Sequence, residues 1–185
     1  ASKSPRRKKL LENLGMKFEV IPSDYKEEKT GNHSDYGEYV KMLAFHKGKD
    51  VADKFNGKYI VISADTIVVL ANEILHKPKD EQDAYEILSK LSGETHKVFT
   101  GVCLIDKSSG KELVDYKYTE VSFRELKNDE IWSYIYTGSP MDKAGAYGIQ
   151  DDFGAVFVNN IKGCYYNIVG LPLELLYNML RKLVK

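Results

Sequence analysis

The most constraining feature of the sequence is the apolar run from Tyr59 to Leu70, the most hydrophobic stretch of the chain and one rich in β-branched residues. Such a run predicts a buried strand, because a strand covered on both faces needs apolar side chains in both directions. Asp65 stands in the middle of this run, beside Thr66 and two positions after Ser63. A carboxylate is costly to bury unless it meets a cation, a metal ion or several hydrogen-bond donors. Asp65 therefore has to be explained before any function is assigned.

Two interpretations of Asp65 remain open at this point. In the first, Ser63, Asp65 and Thr66 interrupt the strand, and the last two lie exposed in a turn between two strands. In the second, Asp65 is a metal ligand or a general base at the end of a strand. Periodicity alone does not choose between them.

The composition favours one folded domain and excludes several classes of protein. The chain has 185 residues, 43% of them hydrophobic, so it can form a single domain or two small lobes that share a core. Lys and Arg together number 27, as do Asp and Glu, and this zero net charge provides no field for coating nucleic acid. Any anion that the protein binds must therefore be held by a local cluster of cations.

Cysteine usage and hydropathy indicate the compartment. Cys103 and Cys164 form no CxxC or Cys/His cluster, which argues against a structural zinc site and a disulfide framework. No apolar run reaches the roughly 20 residues of a membrane span, and no signal-peptide pattern opens the chain. We therefore expect a cytoplasmic protein without membrane or nucleic-acid partners. The start at Ala1, on turn-like residues and without an initiator methionine, also leads us to expect a short strand upstream.

Helix and strand signals are mixed along the chain without strict alternation, which predicts an α/β or α+β domain on a mixed sheet. The helix signals lie at residues 4–15, 34–55, 80–91, 128–138 and after Pro172; the strand signals lie at residues 18–21, 59–70, 97–105 and 113–123, with a hairpin-like pair around Lys162 and Gly163. We predict a single domain over residues 1–185. Its middle third, residues 77–138, is the candidate for a smaller second lobe, and a central cleft between the lobes would be the natural ligand site.

The first residues form a candidate phosphate cradle. Ser2, Ser4, Arg6 and Arg7 surround the start of a helix, where free backbone donors and the helix dipole favour anions. Arginine adds paired hydrogen bonds to phosphate oxygens. The alternative is a solvated basic first turn, which is slightly unfavourable against the dipole, and this mismatch favours a functional role.

Other polar residues are ambiguous when taken singly. Lys47 lies on the apolar face of the second helix, where its ammonium must reach water or an anion. Lys77 is fixed before Pro78 in an extended segment and points into a cleft or into water. Glu27 has a loop-solvation alternative, and Gln150 offers an amide suited to a base edge. Together, these cations and carboxylates are the groups needed for Mg²⁺-assisted attack on a polyphosphate.

The ordered set of short motifs along the chain resembles the Maf family. The similarity covers nearly the whole chain, and the run from Asp142 to Gln150 is its most specific part. The matching motifs are Ala1 to Arg7, Leu43-Ala44 with Lys47, Ala64-Asp65-Thr66, Lys77-Pro78, Leu91-Ser92-Gly93 with His96, Thr100-Gly101-Val102, Asp142 to Gln150, and Val169-Gly170-Leu171-Pro172.

This resemblance implies a nucleoside triphosphate pyrophosphatase that hydrolyses the bond between the α and β phosphates. The implied products are a nucleoside monophosphate and pyrophosphate, and the implied cofactor is a divalent cation, Mg²⁺ or Mn²⁺. The resemblance also implies a mixed-sheet α/β fold related to the inosine triphosphate pyrophosphatases, in a cytoplasmic homodimer.

The resemblance assigns roles to particular residues. Asp65 becomes the proton acceptor. Asp65 and Glu27 become the carboxylates that face the metal ion, and Glu27 is assigned this role rather than Glu28. The phosphate-binding set becomes Ser2, Arg6, Lys47 and Lys77. The residues that resemble the branch acting on dTTP and UTP are Arg6, Thr66 and Gln150.

Three alternatives to this function remain. The first is the branch of the same family that acts on 7-methyl-GTP, which differs at the three specificity positions. The second is a nucleotide-binding regulator of cell division without significant turnover. The third is an RNA-binding module that stacks bases on some of the 13 tyrosines, and zero net charge makes it the weakest.

Overall fold

The computed structural model describes residues 2–27, 35–150 and 153–184. In this part of the chain the helices are α1 (Pro5–Asn13), α2 (Tyr36–Ala52), α3 (Glu81–Leu91), α4 (Asn128–Ile135), α5 (Tyr165–Val169) and α6 (Leu173–Leu183). The strands are β1 (Ile60–Leu70), β2 (Glu73–Leu75), β3 (Thr95–Asp106), β4 (Glu112–Phe123) and β5 (Val158–Lys162). Short 3-10 helices cover Ser139–Asp142, Ala144–Ala146 and Phe153–Phe157. The predicted α/β class is confirmed.

The five strands form one antiparallel sheet with the order β2-β1-β3-β4-β5. Strands β1 and β2 pair in the register Leu70↔Glu73, so only Ala71 and Asn72 connect them. Both connecting residues have positive φ, 44° and 70°, which is the conformation that a two-residue hairpin turn requires. The sequence analysis treated residues 59–70 as the strand and did not predict this hairpin.

Capping side chains fix the helix starts that the sequence predicts. Ser4 accepts a hydrogen bond from the amide of Arg7, and proline follows it at the first position of α1. Asp80 accepts from the amide of Asp83, while the Asp83 carboxylate accepts from the amide of Lys79 at 2.9 Å. The Asp80 cap confirms the predicted start of α3, while the second bond goes to the residue before the cap and so differs by one position from a capping box.

Two sequence predictions about strands are wrong. Residues 18–21 belong to no strand of the sheet, although their apolar side chains alternate, because a strand also needs a partner for its backbone groups. The predicted hairpin-like pair around Lys162 and Gly163 contains only β5, and the residues after it form α5. Here the Thr119 hydroxyl is hydrogen-bonded to both the amide and the carbonyl of Cys164, which turns the chain away from the sheet.

The chain divides into two units. Unit 1 comprises Ala1–Thr66, Thr100–Lys117 and Gly170–Lys185, and unit 2 comprises Ile67–Phe99 and Tyr118–Val169. Within unit 1, a Cβ atom added at Gly101 would lie 2.1 Å from the carbonyl oxygen of Val40, so glycine is what allows β3 to approach α2 closely. The smaller lobe at residues 77–138 and its cleft stay predictions.

Each unit has its own apolar core. The core of unit 1 contains buried residues from α2, β1 and β3, namely Ala44, Val51, Ala52, Val61, Cys103 and Ile105. The core of unit 2 includes Leu88, Leu91, Ile131, Tyr134 and Phe157. Within the described ranges, no helix has both the length and the hydropathy needed to cross a bilayer.

Candidate functional site

Asp65 lies inside β1, which runs without a break from Ile60 to Leu70. Only 7% of its surface is exposed. The interpretation of Asp65 and Thr66 as an exposed turn is therefore wrong, because the backbone continues as a strand and the carboxylate is buried. A carboxylate held in this way needs a cation close to it.

That cation is Lys47, which projects from α2. Its ammonium contacts Oδ1 of Asp65 and also donates a hydrogen bond to Oε1 of Glu27 at 2.5 Å. The side chains of Lys47 and Asp65 are 18% and 10% exposed, whereas that of Glu27 is 43% exposed. One lysine thus bridges a buried carboxylate and a carboxylate that reaches solvent.

The pKa values in this cluster follow from burial and charge. Burial raises the pKa of Asp65 above its ordinary value, against the opposing charges of Lys47 and Arg7. Burial alone would lower the pKa of Lys47, but the charge of Asp65 and the hydrogen bonds to both carboxylates raise it. Lys47 therefore remains an ammonium at neutral pH, and Asp65 is a stronger base than an exposed aspartate.

Arg7 was part of the predicted phosphate cradle, but the sequence analysis gave it no role of its own. Its guanidinium donates to the carbonyl of Gly170 at 2.7 Å, to the hydroxyl of Thr66 at 2.8 Å and to the hydroxyl of Ser2 at 3.1 Å. These bonds join three separate parts of the chain beside Asp65. The pairing of Arg6 and Arg7 in the first turn was the available signal, but the sequence did not indicate which arginine faces inward.

Ser2 and Arg6 lie where the phosphate cradle was predicted. The Ser2 hydroxyl accepts from Arg7 and from the amide of Ser4, the latter at 3.2 Å, so it closes the turn before α1. Arg6 is half-buried in the first turn of α1. Phosphate binding by Ser2 and Arg6 stays a prediction.

Thr66 follows Asp65 and uses its hydroxyl within the protein. The oxygen accepts from Arg7 and shares a hydrogen bond of 2.9 Å with the hydroxyl of Thr100 on β3. Thr66 is thus fixed between an arginine and a second threonine. Its contribution to specificity stays a prediction.

Unit 2 contains the remaining predicted site residues, Lys77 and Gln150. Lys77 is exposed in the segment between β2 and α3. Gln150 is half-buried, and its side-chain oxygen is inaccessible to water without a hydrogen-bond partner among the described residues. A joint action of these two residues with Asp65 stays a prediction.

The carboxylate oxygens of Glu27 and Asp65 are suitable ligands for a divalent cation. Both contact the same lysine, and oxygen ligands are the type that Mg²⁺ prefers. Among the described residues, no group of three or more His, Cys, Asp and Glu could hold a metal ion. Two carboxylates still fit Mg²⁺, because this ion commonly takes its other ligands from water and substrate phosphates. Glu28 lies outside the described residues.

A large cavity in unit 1 adjoins the start of α1, and its walls include Ser2 and Arg7. Its volume is about 930 Å³, and its walls also include Phe18, Val20 and Ile62. Neither Lys47 nor Asp65 lines it. The cavity therefore borders the predicted phosphate cradle without including the Lys47 and Asp65 pair.

Comparison with known proteins supports one family along the whole chain. Residues 1–183 match the family described as Maf-like protein. A dTTP/UTP pyrophosphatase of Clostridium perfringens (strain 13 / Type A) is 49% identical over 180 residues, which cover 97% of this chain and 93% of that protein. The dTTP/UTP pyrophosphatase of Ruminiclostridium cellulolyticum is 50% identical over 183 residues, covering 99% and 94%. That of Alkaliphilus oremlandii is 51% identical over 181 residues, covering 98% and 93%.

Proposed function

The chain belongs to the Maf family, and from this premise we propose that it is a nucleoside triphosphate pyrophosphatase acting on dTTP and UTP. It hydrolyses the α-β phosphoanhydride to a nucleoside monophosphate and pyrophosphate. The observation that carries the proposal is the buried carboxylate of Asp65 inside β1, in contact with Lys47. Relatives that are about half identical over nearly their whole length carry the name dTTP/UTP pyrophosphatase, which supports this substrate over 7-methyl-GTP.

Asp65 acts as the proton acceptor. Lys47 contacts Oδ1, so Oδ2 is the oxygen that takes the proton from water. The water oxygen forms a bond to the α phosphorus as the bond from that phosphorus to the bridging oxygen breaks. The electron pair of the broken bond leaves with the bridging oxygen on pyrophosphate. Burial favours this role because the raised pKa of Asp65 strengthens the base.

Fixed cations hold the triphosphate and offset the charge that develops on pyrophosphate. The ammonium of Lys47 is held in place by two carboxylates before the nucleotide binds. It can therefore attract the triphosphate without first being ordered. Ser2, Arg6 and Lys77 complete the phosphate-binding set. In a site with little water, such preorganised charges contribute more than they would in bulk solvent.

Glu27 and Asp65 are the residues that would hold the divalent cation. When bound, Mg²⁺ or Mn²⁺ supplies positive charge to the phosphate oxygens and lowers the pKa of a coordinated water. The partly exposed side chain of Glu27 suits this role, since its carboxylate is accessible to an ion that arrives with the nucleotide.

Base selection is proposed for Arg6, Thr66 and Gln150, in different ways. The Thr66 hydroxyl is committed to Arg7 and Thr100, so Thr66 acts by fixing its neighbours. The Gln150 amide oxygen is buried without a partner among the described residues, so nucleotide binding has to uncover it before it accepts a hydrogen bond from the N3–H group of thymine or uracil.

Product analysis with a nucleotide panel tests the proposed function. The purified protein is incubated with dTTP, UTP, dCTP and 7-methyl-GTP in Mg²⁺ or Mn²⁺, and the monophosphate and pyrophosphate are quantified. We expect equal amounts of both products, with dTTP and UTP hydrolysed fastest. Tight nucleotide binding without monophosphate would contradict the proposal and favour a regulator.

The family also supports a cytoplasmic homodimer as the working form. Size-exclusion chromatography with light scattering measures this directly, and we expect a mass of twice the 21.0 kDa chain. A monomeric mass at micromolar concentration would contradict this part of the proposal.

A further inference from the structure

The segment that carries Glu27 has no regular secondary structure, yet it is attached to α2 at defined points. The first point is Asp50, whose Oδ2 accepts a hydrogen bond from the hydroxyl of Ser23 and another from the amide of Asp24, both at 2.8 Å. Lys54 reinforces it by pairing with Asp24 at 2.7 Å and with Asp50 at 3.0 Å. One carboxylate on α2 therefore fixes the start of the segment.

An aromatic stack forms the second attachment point. The rings of Tyr25 and His46 are 5.1 Å apart and nearly parallel, at 15°. His46 and Asp50 are four residues apart and share one face of α2, and Lys54 follows in the turn just after the end of the helix. The segment thus contacts a row of side chains on α2 and in the turn after it, which we call the α2 docking row: His46, Asp50 and Lys54.

The docking row places Glu27 beside Lys47. Glu27 is only two residues beyond the stacked Tyr25, and Lys47 directly follows His46 on the helix. An unattached coil residue would lose backbone and side-chain entropy each time it entered the site, which weakens any ion held through it. Fixing the segment beforehand reduces that loss.

We propose that the α2 docking row, with Tyr25, positions Glu27 to complete the divalent-cation site. His46, Asp50 and Tyr25 are positioning residues, since they act through Glu27 and not on the substrate. This inference rests on the metal role of Glu27 in the proposed function. It predicts that weakening the attachment lowers cation affinity even though no proposed ligand is changed.

Cation binding measures this effect directly. The probe is Mn²⁺, whose free concentration is followed by electron paramagnetic resonance in the presence of an α,β-imido analogue of dUTP, which blocks turnover. We expect Asp50→Ala and Tyr25→Ala each to weaken Mn²⁺ binding roughly ten-fold, as is typical when the support of a ligand is removed. Asp53→Ala is the matched control, because the Asp53 carboxylate pairs near the same helix end with Lys49, which is not part of the docking row.

Amide hydrogen exchange supplies a readout independent of the metal. Asp50→Ala should increase exchange of the amides at residues 23–27 at least several-fold, while the amides in the middle of α2 keep their protection. Unchanged exchange at residues 23–27, or Mn²⁺ affinity equal to wild type in both alanine variants, would overturn the proposal.

A double variant separates this inference from the metal assignment. If the docking row acts through Glu27, Asp50→Ala combined with Glu27→Gln binds Mn²⁺ no more weakly than Glu27→Gln alone. Additive losses would overturn the positioning role. Wild-type Mn²⁺ affinity in Glu27→Gln would instead overturn the metal role in the proposed function, and the exchange data would still report whether the segment is attached through Asp50.

Discussion

The two units of the molecule each bury polar side chains, but they offset the cost differently. In unit 1, the buried carboxylate of Asp65 remains next to the ammonium of Lys47. In unit 2, His96 and Tyr147 share a hydrogen bond of 2.8 Å, and the ring of Phe123 packs edge-on against both. Burial lowers the pKa of His96 to about 4 and raises that of Tyr147, so both are neutral at pH 7.

This difference distinguishes polar residues that serve the structure from those that serve catalysis. A neutral hydrogen-bonded pair avoids the cost of burying charge, and Nδ1 of His96, which has no partner among the described residues, is the polar atom left unpaired. A buried ion pair often costs as much as it contributes, so Lys47 and Asp65 are poor choices for stability alone. Perturbed charges that persist in such a setting are typical of catalytic sites. The comparison predicts that changes in the charged cluster affect turnover, whereas changes in the neutral pair affect stability.

The largest expected effect is that of Asp65→Asn. Removing the proton acceptor should lower the rate of pyrophosphate release from dTTP by about 10²- to 10⁴-fold. The fold should persist, because asparagine has the same shape and Lys47 keeps Glu27 as a partner. Steady-state kinetics and thermal unfolding of the same preparation measure both quantities.

Ser63→Ala is the matched control for this variant, two positions earlier in the same strand. Its buried hydroxyl donates to the carbonyl of Ala44 at 2.7 Å, so its loss should cost about 1 kcal/mol of stability with little change in turnover. Near wild-type pyrophosphate release from Asp65→Asn would contradict the proposed mechanism.

The neutral pair should make stability depend on pH. An imidazole in the unfolded chain has a pKa of about 6.5, against about 4 for His96 in the folded protein. As the pH falls, the unfolded state therefore takes up the proton first. The contribution of neutral His96 is complete above pH 6.5 and decreases towards pH 4, by about 3 kcal/mol in all. Denaturant unfolding at pH 7, 6, 5 and 4 measures the decrease.

His96→Phe isolates this contribution from that of the carboxylates. The variant lacks the titrating ring, so its stability should fall less steeply between pH 6.5 and pH 4, while turnover per folded molecule at pH 7.5 stays near wild type. Identical slopes in the two proteins would mean that His96 does not titrate differently on folding.

Arg7 tests whether a charged residue of unit 1 can be mainly structural. Arg7→Lys keeps the positive charge but cannot form all three directed bonds, so we expect a loss of about 2 kcal/mol of unfolding free energy. Turnover should also fall, because Thr66 beside Asp65 loses its anchor. Arg181→Lys, on the exposed face of α6 with its guanidinium over the ring of Tyr177, is the control and should cost less than about 1 kcal/mol.

The smallest expected effect concerns Gln150, whose amide oxygen has no partner among the described residues. Gln150→Leu should reduce the ratio of kcat/KM for dTTP to that for dCTP about ten-fold, because one base-reading hydrogen bond is lost. Stability should hardly change. Gln82→Leu, at an exposed position of α3, should leave the ratio unaltered, and an unaltered ratio in Gln150→Leu would remove it from the specificity set.

Local signals in the sequence predicted most of the elements. The Ser4 and Asp80 caps act within one helical turn, and α1 and α3 begin where these caps predict. The strand predicted at residues 18–21 is absent, because strand formation depends on a partner elsewhere in the chain, and the alternation of side chains does not reveal that partner. The hairpin turn at Ala71 and Asn72 was missed because alanine rarely adopts positive φ.

The site was predictable in its residue types and only partly in its arrangement. A carboxylate in an apolar run and a lysine on the apolar face of a helix are both locally anomalous, so Asp65 and Lys47 could be singled out. Their contact could not be derived from spacing, and neither could the inward direction of Arg7. The docking of residues 23–27 onto α2 was equally invisible, because Asp50 looks like an ordinary solvated helix residue in the sequence.

The sequence by itself determined where most helices and strands form, and it showed that burying one aspartate within an apolar run would carry a cost. These properties depend on neighbours within a few positions, through caps, periodicity and the hydrophobicity of a single run. Only the tertiary structure decided which cation offsets that cost, since Lys47 and Asp65 are 18 positions apart. Their contact arises when a whole helix packs on a strand, and many distant residues set that packing together.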